Sequence, residues 1–192
     1  MKETRQNTEQ EPGSDAIRTD QAPTKWDWQS AAGAISRNNH RNVLAGAVAG
    51  LGGALAIGAM EWFSVAAHYP LAVIPFATSI VLVIGSPEAE PAQPRALIGG
   101  HVVSALVGLA VLKLAGPHAW AAAAAVGLSI RAMYITGTFH PPAGINPLLV
   151  VSGNLPWTFL LVPVLAGAVL LTAFALLWHR WVRRQPWPRR WI

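Results

Sequence analysis

The residues best able to do chemistry in this chain flank a pair of prolines inside an apolar segment. His140, Pro141, Pro142 and Gly144 are followed by Asn146. A residue before proline is driven out of the helical region, so the imidazole of His140 can point into a cavity. There it could donate a hydrogen bond to an anion or carry a proton, because imidazole titrates nearer neutral pH than other side chains. The alternative is a histidine that only satisfies backbone groups freed by the break.

The two prolines and the glycine of this segment have an architectural role. Pro141 and Pro142 end one helical stretch, and Pro142 fits the first turn of the next helix. Gly144 permits close approach of the backbone to a neighbouring group. Peptide N–H groups exposed at such a break carry partial positive charge, so the segment could hold a small anion.

A similar break lies 67 residues earlier in the chain (142 − 75). At this offset Pro75 aligns with Pro142 and Ser79 with Asn146, and an aliphatic run follows in both copies. One interpretation is a 3+3 inverted repeat, in which proline-interrupted helices face each other near the membrane midplane. The other is a chance match between two apolar segments. Thr78, Ser79 and Asn146 would either line a solute path or bond between helices.

Three further polar residues lie beside or within predicted helices. His101 is near the start of the third helix and is a candidate for the same path. Arg95 either orients its loop and contacts lipid headgroups or forms part of an anion vestibule. Arg131 is a second vestibule candidate. Its default interpretation is a long side chain that reaches the interface, because a charge inside the membrane is expensive.

Catalysis and cofactor binding have little support in the sequence. The chain has no cysteine, and two separated histidines, His101 and His140, without a carboxylate partner are weak grounds for a metal site. There is no Gly-x-Ser-x-Gly elbow, no His-Glu-x-x-His helix, no phosphate loop and no pair of carboxylates in the apolar region. We therefore expect no enzyme, no metal and no cofactor.

The elements that must position these residues are membrane helices. The chain is 53% hydrophobic and only 12% charged, which leaves too few charges to solvate a soluble helical domain. Gly46 and Gly50, in the first apolar run, allow close helix packing within one chain or between subunits of a homo-oligomer. The fold we predict is an all-α polytopic membrane protein with about six membrane elements. The apolar runs predict helices at 43–60, 69–86, 96–115, 119–136 and 155–178, together with the proline-broken segment 139–153.

The distribution of arginine predicts the orientation in the membrane. Basic residues lie before the first helix and after the last, so both termini should be cytoplasmic, in a cell (inner) membrane. The number of crossings is then even, and segment 139–153 must cross. The predicted organisation is a disordered to amphipathic tail at 1–40, a transmembrane domain at 41–180 and a basic, aromatic interfacial tail at 181–192. The net charge of +5 could suggest nucleic acid, but the basic residues lie mostly beside hydrophobic segments, which indicates anchoring to an anionic membrane surface.

Two separated motifs resemble a known family. The His140–Gly144 segment follows Thr136-Gly137-Thr138, and Ala92-Gln93-Pro94-Arg95 runs into Gly99-Gly100-His101. In this order, and with the ending Pro186-Trp187-Pro188-Arg189, they resemble the HPP family of integral membrane proteins, which is named after that tripeptide. The resemblance covers 43–192. It implies a membrane protein with several spans.

The resemblance also implies an activity, because nitrite transport is assigned to plastid and cyanobacterial-type members. The expected function is a transporter or channel for a small inorganic anion, with nitrite first, and the expected partners are that anion and the lipid bilayer. This chain has Ala77-Thr78-Ser79 where the family often has Gly-Ala-Ser, and Ile145-Asn146 where Ala-Thr often follows the motif. The alternative is a non-transporting scaffold or sensor, in which the break is a kink and the basic tail recruits a partner.

Overall fold

The structure is a computed structural model that describes residues 39–66 and 73–191. Every described element is helical, with no strand in these two ranges. The predicted tail at 1–40 lies almost wholly outside the described residues, as does the predicted start of the second helix at 69–72. The helices are α1 Asn39–Ala66, α2 Val73–Gly85, α3 Pro94–Ala115, α4 Ala119–Ile135, α5 Ile145–Ser152 and α6 Gly167–Leu177.

Four short turns complete the described helical structure. A 3₁₀ turn, Glu90–Ala92, precedes α3, and a second one, Pro141–Gly144, precedes α5. Widened π-helical turns, Leu160–Ala166 and Trp178–Val182, extend α6 at both ends. The predicted uninterrupted helix over 155–178 is therefore wrong in its boundaries and in its regularity.

The irregular start of the last helix has a local cause. Pro163 lies inside the π-helical turn. Proline has no N–H to donate and its ring crowds the preceding turn, so the helix widens around it instead of continuing as regular α-helix. The chain over 153–157 forms a turn before this helix.

Within residues 39–66 and 73–191, three helical stretches are long and apolar enough to cross a membrane: Asn42–Ala66, Pro94–Ala115 and Leu160–Val182. Two shorter apolar helices lie between them, Pro75–Gly85 and Ala119–Ile135. Large apolar side chains are exposed on these helices, which suits contact with lipid acyl chains and not with water. Examples are Val43, Leu44, Trp62, Val81, Leu114 and Ile135. The predicted class, a polytopic helical membrane protein, is confirmed.

The broken segment is present at the predicted place. Its only α-helical part, α5, has eight residues, which rise about 12 Å against a hydrocarbon layer of about 30 Å. The helix is thus too short to cross the layer alone. The crossing of 139–153, the cytoplasmic position of both termini and the inverted repeat stay predictions.

Helix α3 is the centre of the packing. It contacts α4, α5, α6 and both 3₁₀ turns within the compact unit Asn42–Ile192. A Cβ atom added at Gly108 would lie 2.7 Å from the Cα of Pro147, so α3 and α5 approach at a distance that only glycine permits. This close approach brings the break before α5 against the first turns of α3.

Candidate functional site

A cluster of buried polar side chains lies where α2, α3 and the broken segment meet. Each of its five members has a relative exposure of 0%. They come from α2, α3, the residue before the second 3₁₀ turn, and α5: Ser79, His101, Ser104, His140 and Asn146. A polar group inside a membrane protein is costly unless it is hydrogen-bonded, so the bonds within this cluster decide what it can do.

Ser79 joins the two histidines. Its Oγ lies 2.9 Å from Nε2 of His101 and 2.8 Å from Nε2 of His140. The two imidazole rings are 5.1 Å apart between centroids, and Phe76 packs on the His101 ring at 4.5 Å. One serine hydroxyl thus bridges two imidazoles that are 39 residues apart in the chain (140 − 101).

Asn146 determines which nitrogen of His101 carries the proton. Its side-chain nitrogen lies 3.1 Å from the His101 carbonyl oxygen, 2.9 Å from Ser104 Oγ and 3.0 Å from His101 Nδ1. Because a carbonyl oxygen only accepts, the amide nitrogen and not the amide oxygen must face it. That nitrogen donates, so Nδ1 of uncharged His101 accepts and Nε2 carries the hydrogen.

His140 is oriented by a backbone carbonyl in the loop before α3. Its Nδ1 lies 2.7 Å from the carbonyl oxygen of Pro91, so Nδ1 donates and Nε2 of the uncharged ring accepts. The Ser79 hydroxyl then accepts from His101 and donates to His140. We call this directed chain the relay: Asn146, His101, Ser79, His140 and the Pro91 carbonyl.

The uncharged relay has no N–H or O–H to spare. The Asn146 amide has two hydrogens for three acceptors, and the hydrogens of His101, Ser79 and His140 are each used within the relay. Its one unpartnered polar atom among the described residues is the Asn146 Oδ1, which is an acceptor. An anion needs donors, so the uncharged relay does not favour one.

Two glycines of α3 allow His140 to reach Ser79. A Cβ atom at Gly100 would lie 2.6 Å from His140 Cβ and 2.8 Å from the Thr138 carbonyl, and one at Gly99 would lie 2.5 Å from Thr138 Cγ2. The prediction that Gly144 provides the close approach is wrong, because nothing lies within 4 Å of a Cβ placed there. Gly99 and Gly100 precede His101 directly, and that pattern was the signal available in the sequence.

The prediction that the break exposes peptide N–H groups is also wrong for its first residues. Pro141 and Pro142 have no N–H, and the N–H of Ala143 donates to the His140 carbonyl at 3.0 Å. The N–H of Ile145 is likewise bonded within the turn. His140 itself is extended as predicted, with φ −132° and ψ 96°.

The other predicted residues lie outside the relay. Thr78 is exposed, on a face of α2 about 100° around the helix axis from Ser79. Pro141 is exposed and Pro142 half-buried, and Arg131 is exposed on α4. Arg95 is exposed at the start of α3, where its guanidinium donates to the Thr136 carbonyl at 3.0 Å.

A surface pocket lies at the Pro91 end of the relay. One cavity of about 200 Å³ has Glu90, Pro91 and Phe139 among its lining residues, so it borders both Pro91, the acceptor of the hydrogen bond, and the residue that precedes His140. A second cavity of about 130 Å³ is lined by Arg95 together with Glu90 and Arg190. The predicted vestibule residue Arg95 therefore borders this surface.

The C-terminal tail packs onto the same loop through Gln93. The Gln93 side chain donates to the carbonyls of Pro87, at 2.8 Å, and Ala89, at 3.0 Å. Its Oε1 accepts the backbone N–H of Arg189 at 2.8 Å, and Trp187, which is 6% exposed, packs on the buried ring of His179. The tail thus helps to hold the loop that carries Pro91.

Comparison with known proteins agrees with a helical membrane protein. The family model described as "HPP, transmembrane region" matches residues 36–188. Two similar proteins are transmembrane proteins of Dictyostelium discoideum, 38% and 36% identical over 124 residues. The matched stretch is 60% of this chain but 44% and 40% of those two proteins, so the chain spans less than half the length of either. No solved structure matches this chain significantly.

Proposed function

Because this chain belongs to the family of the HPP transmembrane region, which covers its residues 36–188, we propose that it moves a small inorganic anion across the membrane together with a proton. Nitrite is the first candidate, from the resemblance of the motifs described above. The relay carries this proposal. It is a directed hydrogen-bond chain whose four side chains are fully buried, at the junction of α2, α3 and a proline break.

One added proton makes the relay attractive to an anion. When His140 Nε2 takes up the proton, both imidazoles donate to Ser79 Oγ, and the serine hydroxyl turns towards the Pro75 carbonyl, 3.4 Å away. The relay keeps its hydrogen bonds and gains one positive charge. In an interior of low dielectric constant, that charge attracts an anion far more strongly than it would in water. Coupling of anion to proton then follows from electrostatics.

We also propose that the protein is not an enzyme. The contact between Ser79 and His140 has the length of a nucleophile–base pair. However, Ser79 also accepts from His101 and is wholly buried. Attack on a substrate would require Ser79 to give up the hydrogen bond from His101 and to become accessible, whereas passing a proton between the two histidines requires no displacement.

The test is anion flux in proteoliposomes that contain the purified protein, with nitrite and nitrate as probes and internal pH followed by a dye. We expect saturable flux accompanied by proton movement, reduced at least ~10-fold by Ser79→Ala, the scale of loss typical when a proton-carrying group is removed. Thr78→Ala is the matched control, because it removes a neighbouring hydroxyl that lies outside the relay. Protein-free vesicles measure the passive leak of nitrous acid.

The outcome separates transport from the scaffold or sensor alternative. Absence of any protein-dependent flux, or full flux in Ser79→Ala, would overturn the proposal. Truncation of the tail does not discriminate between the two, because the tail holds the loop that bears Pro91 and its loss would impair either function.

A further inference from the structure

We propose that Glu90 is the carboxylate through which the relay exchanges protons with the aqueous surface. This inference rests on the proposed function and identifies a residue that was not among those predicted from the sequence. Glu90 is exposed and directly precedes Pro91, whose carbonyl accepts the Nδ1–H of His140. The hydrogen bond between His140 and Pro91 is only partly buried, whereas those between Ser79 and the histidines are buried. The relay therefore meets the surface at Pro91.

The cavities place Glu90 at this point of contact. Glu90 lines the cavity of about 200 Å³ that also contacts Pro91 and Phe139. It lines the neighbouring cavities of about 130 Å³ and about 270 Å³ as well. A water molecule takes about 30 Å³ in the liquid, so the first cavity has room for several waters between the carboxylate and the end of the relay.

The charged and titratable neighbours of Glu90 come from α3, α4, the C-terminal tail and its own loop. Arg95 at the start of α3 and Arg190 in the tail line the second cavity with it. Tyr134 of α4 lines the first, and Glu88 and Arg189 line the third. Three arginines therefore border the cavities that Glu90 lines. Glu88 borders only the third of these cavities, so it lacks the connection to Pro91 and Phe139.

The exchange step is a single proton transfer. Starting from the charged relay, the Nδ1–H bond of His140 breaks, a cavity water passes the proton, and an O–H bond forms on the Glu90 carboxylate. His140 loses its positive charge and keeps the hydrogen on Nε2, while Glu90 loses its negative charge. The carboxylic acid then releases the proton to bulk water. The reverse sequence charges this Nε2–H form again at Nδ1, and release of the Nε2 proton towards Ser79 then restores the resting form with the hydrogen on Nδ1.

The experiment compares Glu90→Gln with Glu88→Gln in the reconstituted full-length protein. The readouts are the pH profile of proton-coupled nitrite flux and its recovery when 1-methylimidazole, a small neutral base, is added to carry protons into the cavity. We expect Glu90→Gln to lower proton flux at least ~10-fold and to regain it with 1-methylimidazole. Glu88→Gln should stay within about twofold of the wild type and gain nothing from the base.

The outcomes distinguish this inference from the proposed function. Equal flux and equal pH profiles in the wild type and in both variants would overturn the role of Glu90 and leave proton-coupled transport standing. Loss of flux in Glu90→Gln that 1-methylimidazole does not restore would also overturn it, because a structural role predicts that result. Absence of flux in the wild type would overturn both proposals. Glu90→Asp, which keeps a carboxylate, should retain the wild-type pH profile.

Discussion

Ser79 and Asn146 hold the same imidazole ring from its two nitrogens. Ser79 Oγ lies 2.9 Å from Nε2 of His101, and the Asn146 amide nitrogen lies 3.0 Å from Nδ1. The two residues are related by the 67-residue offset of the sequence (146 − 79) and belong to α2 and α5. Since Asn146 donates to one nitrogen, the other must carry the hydrogen that Ser79 accepts. Asn146, which follows the proline break, therefore sets the direction of the relay's hydrogen bonds through the imidazole of His101.

The first prediction concerns the tautomers of the two histidines. With ¹⁵N-labelled histidine in lipid bilayers, we expect solid-state NMR at neutral pH to show His101 protonated on Nε2 and His140 protonated on Nδ1. Spectra of His101→Gln and His140→Gln assign the signals. Asn146→Ala should mix the His101 tautomers, because the group that selects one of them is gone. The same tautomer at both positions in the wild type would contradict the relay.

Much of this cluster could be predicted from the sequence. Polar residues in apolar membrane segments are costly, so they indicate a site or a bond between helices. The sequence predicts four such residues that the structure brings together: Ser79, His101, His140 and Asn146. Thr78 was named with them but is exposed. Consecutive residues point about 100° apart around a helix axis, so only one of two neighbours can face a given partner.

Other parts of the site are harder to predict from the sequence. The Pro91 carbonyl is a backbone acceptor, and any residue type supplies one, so the sequence does not mark it. The role of Gln93 depends on how the tail folds back, which no local pattern encodes. The close approach belongs to Gly100, which directly precedes His101, and not to Gly144, which the His140–Gly144 motif makes the more conspicuous glycine. Pro163 was a readable sign that the last helix is irregular.

The second prediction concerns Gly100. Gly100→Ala would place a methyl group 2.6 Å from His140 Cβ and 2.8 Å from the Thr138 carbonyl, so the segment before the break must move away from α3. We expect a destabilisation of about 1–3 kcal/mol from overpacking and a loss of flux. Gly127→Ala is the control, because nothing lies within 4 Å of the added carbon. Thermal unfolding in detergent measures the first effect, and a stable, fully active Gly100→Ala would refute it.

The third prediction concerns pH. Because the uncharged relay offers no free donor and one proton supplies the positive charge, anion flux should increase as the loading side is acidified and decrease as it is made alkaline. Nitrate is the better probe here, since its conjugate acid does not form in this range and cannot leak through lipid. Initial rates at constant nitrate concentration give the profile. We expect no such dependence in Ser79→Ala, and a flat profile in the wild type would rule out coupling through the relay.

The fourth prediction concerns the tail. Trp187 is 6% exposed and packs on His179, whose Nε2 lies 2.9 Å from the carbonyl oxygen of Val83 near the end of α2. Trp187→Ala should therefore cost about 3 kcal/mol, as for other buried aromatics, and release the loop that Gln93 ties to Arg189. Trp191, which is 60% exposed, provides the matched control, and Trp191→Ala should change stability by less than about 0.5 kcal/mol. The unfolding temperature in detergent and the nitrite flux should both fall in Trp187→Ala. Neither should change in Trp191→Ala. If both variants behaved alike, the tail would act as a membrane anchor and not as a support for Pro91.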